Sequence, residues 1–98
     1  MNYLKQPRFE SERWRCAVAS LPCVRCGMEN DTQAAHRNQG KGLSFKTDDC
    51  LTAALCTTCH VTLDSGKQWT RDERREQMDD AILKTIVQLA RLGLVRPV

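Results

Sequence analysis

Residues 20–66 read SLPCVRCGMENDTQAAHRNQGKGLSFKTDDCLTAALCTTCHVTLDSG, and the two Cys-x-x-Cys pairs in this stretch decide the fold. Cys23 and Cys26 form one pair, Cys56 and Cys59 the other, with 29 residues between them. Four thiolates complete the tetrahedral shell of a Zn²⁺ ion, and the two-residue gap lets each knuckle present both sulfurs to one ion. Gly27 follows the first pair with the backbone freedom such a knuckle often requires. The segment between the knuckles is long enough to form structure of its own, namely a hairpin and a loop. Within it, Thr32 to His36 (TQAAH) reads as a short strand. Arg37 to Thr47 reads as an exposed loop rich in glycine and basic residues, and Leu51 to Leu55 (LTAAL) as a second apolar stretch. A short helix is expected from about Cys59 until Gly66.

Two other readings attach to the cysteines. CTTCH also matches the C-x-x-C-H of c-type haem attachment, and either pair alone matches a redox dithiol. Haem attachment needs export and an apolar pocket, and the second pair is at hand to close a tetrahedral shell, so structural zinc is the expectation. Cys16 and Cys50 are left over, expected as small buried hydrophobes, with substitution for one of the four ligands as the alternative.

Outward from this stretch lie two helices. Ser11 to Ser20 (SERWRCAVAS) places Trp14, Ala17 and Val18 at helical spacing, with Ser11 as N-cap and Pro22 beyond the end. Thr70 and Glu73 form a capping box, after which Met78, Ile82, Ile86 and Leu89 recur on one face until Gly93. That face is expected to pack on the metal-bound module, with a dimer seam as the alternative. The expected class is α+β in a single domain over 1–98, with a core at about 20–66 and a C-terminal helix at about 71–92.

A chain of 98 residues leaves much of itself at the surface, so a staple is expected. No apolar run approaches the roughly 18 residues of a membrane span, and MNYLKQPRFESERWR has no apolar signal region. A cytoplasmic protein without membrane contact is therefore expected. The formal net charge of +3 leans toward an anionic partner such as nucleic acid.

The two histidines stand at telling places. His36 ends the first expected strand and His60 directly follows the last cysteine. His60 and Asp64, at i and i+4 on one helical face, can converge on a second, divalent cation; the plainer reading is a packed His60 beside the zinc and a solvated Asp64. Mg²⁺ keeps several waters and needs few protein ligands, so two residues suffice for phosphodiester chemistry. Arg37, Lys41 and Lys46, in a loop with Gly40 and Gly42, can approach backbone phosphates of DNA. Arg13, Arg15, Arg71, Arg74 and Arg75 can extend that footprint.

The order CVRCG, AAH, LCTTCH resembles the HNH (ββα-metal) endonucleases that carry a zinc-knuckle pair. More narrowly, SLPCVRCG, AAHR, GKG, FKTDD and ALCTTCHVTLD resemble the small phage and prophage nucleases of the YbcO type and the related RecA-dependent Ref nucleases. The resemblance covers about Ser20 to Gly66. It implies a β-hairpin packed on a helix, His36 as general base, and His60 as ligand of a catalytic Mg²⁺ or Mn²⁺. It further implies hydrolysis of DNA to 5′-phosphate and 3′-hydroxyl ends, and partners among phage or host recombination proteins. Asp49 falls near the slot usually held by Asn, whose side chain steadies the loop carrying the base; a metal ligand or a turn residue is the alternative there. Ala35 stands where many HNH enzymes have a further metal ligand, which Asp64 would supply. Two rivals keep the four cysteines and assign no task to His36 or Asp64: a non-catalytic zinc ribbon that binds nucleic acid, and a protein-interaction module docking through the C-terminal helix.

Overall fold

A computed structural model describes residues 7–37 and 47–98, so Lys41, Lys46 and most of the basic loop lie outside the described residues. The elements run α1 (Glu12–Ala19), β1 (Thr32–His36), β2 (Thr52–Cys56), α2 (Thr57–Ser65) and α3 (Arg71–Arg91). The class is α+β, with a two-stranded antiparallel sheet and three helices among the described residues.

Each element starts where local chemistry allows it. Ser11 caps α1 by accepting from the Trp14 amide, and Thr70 with Glu73 forms both halves of a capping box on α3. α2 begins at Thr57, two residues earlier than the spacing suggested, because the Cys56 sulfur accepts from the Cys59 amide at 3.4 Å and serves as the cap. Gly66 ends it: a Cβ there would lie 2.4 Å from the Thr62 carbonyl oxygen. Gly27 sits at φ +81°, the left-handed conformation in which a side chain is strained, and its amide closes the first knuckle on the Cys23 carbonyl at 2.9 Å.

The register pairs Gln33 with Leu55, Ala34 with Ala54, Ala35 with Ala53 and His36 with Thr52. Side chains alternate between faces along a strand, so this pairing divides the molecule in two. On one face Ala35, Ala53 and Leu55 pack with Cys59, Leu63, Met78, Ala81 and Ile82 of α2 and α3. On the other, Ala54 packs with Val18, Leu21 and Leu89.

A two-stranded sheet exposes its outer edge unless something covers it. Here the Ala54 amide donates to the Thr85 hydroxyl at 2.9 Å, while its carbonyl accepts from the Val24 amide at 2.9 Å. The first knuckle and α3 thus seal β2, whose five residues are all buried. This corrects the expected face of α3: Thr85 is buried and Ile86 is exposed, because the edge amide needs a hydroxyl partner. Cys16 and Cys50 are likewise not buried hydrophobes: Cys16 points outward from α1 and Cys50 is half-buried in the turn before β2. Among the described residues, no helix is long and apolar enough to cross a membrane.

Candidate functional site

The four sulfurs of Cys23, Cys26, Cys56 and Cys59 lie within 4.8 Å of one another, the one such set of three or more metal-type side chains among the described residues. Cys26 Sγ and Cys56 Sγ are 3.6 Å apart. Sulfurs at about 2.3 Å from a tetrahedral zinc stand about 3.8 Å from each other, so the cluster has the size and donor set to hold such an ion. The cluster is electrostatically uneven. Burial opposes ionisation of Cys23, but backbone groups of Cys26, Cys56 and Arg25 outweigh it and bring the thiol down to about 6. Burial and the neighbouring thiols push Cys59 up to about 12. Four sulfurs this close cannot all carry charge unaided, whereas a divalent cation offsets two of the four charges. Arg25, between the first two cysteines, lies over the Trp69 ring at 5.1 Å and ties the knuckle to the turn before α3.

His36 closes β1 on the α1 face, with 30% of its side chain exposed. Its Nε2 lies 2.8 Å from Asp49 Oδ1. Asp49 is fully buried and also accepts from the Ser11 amide at 2.7 Å and from Arg15 at 2.5 Å. Burial pushes its carboxyl up, but the bonds from His36, Ser11 and Arg15 prevail and hold it down at about 2. An ionised carboxylate only accepts, so His36 donates to it from Nε2, and in the neutral ring the lone pair falls on Nδ1. Asp49 thus ties the His36 ring to α1, its carboxylate taken up by His36, Ser11 and Arg15. It also stands in the turn where the Leu51 amide bonds the Asp48 carbonyl.

His60 lies on the opposite face. Its Nδ1 donates to Gln33 Oε1 at 2.6 Å, because an amide oxygen accepts only, so in the neutral ring the lone pair falls on Nε2. Metal-ligating imidazoles are commonly oriented by such a bond from the other ring nitrogen. Asp64, one turn further along α2, lines a cavity of about 170 Å³ with Arg37, Leu63, Arg71, Arg74, Arg75 and Met78. Arg37 follows His36 in the chain and so faces the other way, bonded to Asp79 at 2.8 and 3.2 Å.

The structure therefore joins His36 to Asp49, and joins Arg37 and Asp64 at one cavity. It places His36 and His60 on opposite faces of the sheet, His36 at the end of β1 and His60 against Gln33 near its start. Of the wider basic footprint, Arg71, Arg74 and Arg75 gather at that cavity, and Arg15 is spent on Asp49. Gln33 was not legible as a site residue, and Arg15, expected as a phosphate contact, instead bonds Asp49. Comparison with protein-family models, curated proteins and solved structures gives no match.

Proposed function

We propose that this chain is a zinc-stapled, metal-dependent nuclease of the HNH type that hydrolyses DNA. The observation that carries the reading is the oriented histidine: between two cysteine knuckles, the β1–β2–α2 unit ends its first strand on His36, whose ring a buried, ionised Asp49 holds. The four cysteines would hold structural zinc.

His36 Nδ1 takes a proton from water, the resulting hydroxide oxygen bonds phosphorus, and the bond from phosphorus to the 3′ oxygen breaks, that oxygen taking a proton from solvent. Asp49 keeps the Nε2 proton in place and offsets the positive charge that the ring gains. Mg²⁺ or Mn²⁺, which His60 and Asp64 would hold, supplies neutralisation of charge on the phosphoryl and leaving oxygens. In-line displacement puts the attacking and leaving oxygens on opposite sides of phosphorus. On this reading the attacking oxygen comes from the His36 side, and the cation would stand on the side that carries His60 and Asp64.

One observation favours the second reading, a non-catalytic zinc module that binds nucleic acid: four guanidinium groups surround Asp64, a setting that suits an anion better than a lone cation. Plasmid nicking separates the two. With Mg²⁺ or Mn²⁺ the wild type is expected to cut and EDTA to stop it. His36→Ala is expected to keep its zinc and DNA affinity while losing about two to four orders of magnitude in rate. A His36→Ala chain that cuts as fast as wild type hands the site to the second reading.

A further inference from the structure

The cavity between the end of β1, α2 and the start of α3 contains two kinds of arginine. Arg37 is bound to Asp79, and Arg74 donates to the carbonyls of Gly66 at 3.1 Å and Trp69 at 2.9 Å. These two hold the walls together. Arg71 and Arg75, four residues apart and so on one face of α3, have no hydrogen bond or ion pair among the described residues.

Their position is unfavourable for the helix itself. The first turns of a helix carry partial positive charge and are stabilised by acidic residues, a rule that Asp72 and Glu73 obey. Arg71, at the first helical position, breaks it, and Arg75 stands one turn further on. Sites that break a local rule without a local gain are where a ligand is to be sought. Asp79 offsets Arg37 and Asp64 offsets one further charge, which leaves the cavity with an excess of positive charge. At about 170 Å³ it is smaller than the roughly 300–1,000 Å³ of pockets that enclose a whole small molecule, so it has room for a phosphate group but not for a nucleoside.

We propose that this cavity is a single-phosphate subsite, in which Arg71 and Arg75 together bind one backbone phosphate of a DNA strand against a wall fixed by Arg37 and Arg74. The identity of the strand rests on the nuclease reading; the phosphate chemistry does not. Lacking space for a base, the subsite grips DNA without regard to sequence.

The test uses the full zinc-loaded chain and the variants Arg71→Gln, Arg75→Gln and the double. Each phosphate neutralised on duplex DNA contributes about 0.9 to the slope of log affinity against log salt. One shared phosphate predicts that each single variant lowers the slope by nearly that amount and that the double lowers it no further. Melting temperatures are expected to stay level or rise, since the helix start loses an unfavourable charge. In parallel, inorganic phosphate is titrated while the Arg71 and Arg75 Nε resonances are followed, with shifts expected at both. Slopes that add to about twice the single value, or slopes and resonances that do not move, overturn the subsite and leave the nuclease reading standing. Phosphate-induced shifts in a protein that binds no DNA support the subsite and remove the nuclease reading.

Discussion

The two faces of the small sheet are built from the same ten strand residues and do opposite work. On the α2 and α3 face the sheet packs Ala35, Ala53 and Leu55 against an apolar cluster that runs into the cysteine set. On the α1 face an apolar patch gives way, at the strand end, to the polar network of His36, Asp49, Ser11 and Arg15. The first face holds the molecule together and the second holds one imidazole in one orientation. Strand alternation makes this separation possible: neighbouring residues in β1 answer to different layers. Damage to one face should therefore read out as unfolding, and damage to the other as lost chemistry in a folded chain.

The largest effect is expected from the first face. Structural zinc sites contribute on the order of 10–16 kcal/mol at neutral pH, comparable with the whole stability of a small domain. Cys59→Ser should lose its metal and most of its helical circular dichroism, while wild type carries one zinc per chain by metal analysis. Wild type isolated folded without zinc, or with haem iron, would break the comparison at its root.

The second face is sharpened by its buried carboxylate. Asp49 has its carboxyl lowered from 3.8 to about 2, so its contribution is fully present above pH 4 and is lost as pH falls through 2. A shift of this size in a buried group corresponds to about 2 kcal/mol. Acid in that window also strips the thiolates of their metal, so the effect is read at neutral pH: Asp49→Asn, which mimics the protonated carboxyl, should lower the denaturant midpoint correspondingly. A midpoint equal to wild type would separate Asp49 from the stability of its face.

A smaller effect is expected at the seam between the faces. Thr85→Val keeps shape and burial but leaves the Ala54 amide without its partner, at a cost of roughly 1–3 kcal/mol. Cleavage and zinc content should be unchanged and the unfolding midpoint lowered. A midpoint equal to wild type would mean that another group satisfies the β2 edge.

What the amino-acid sequence determined by itself is what local chemistry specifies. The two cysteine knuckles, the strand TQAAH, the Ser11 cap and the Thr70/Glu73 capping box were all legible, because spacing, caps and turn residues act over a few positions. The approximate end of each helix followed for the same reason. The tertiary structure decided the partners. Ser11 meets Asp49 across 38 positions, His60 meets Gln33 across 27, and Thr85 meets Ala54 across 31. None of these pairs has a local signature: each depends on which face a side chain is given once register and packing are set. The same holds for Arg37 and His36, adjacent in the chain and sent to opposite faces, one to a cationic cavity and one to a buried carboxylate. Local preference is written in the order of residues. The long-range choice arises because a strand has two faces and only the assembled layers say which is which.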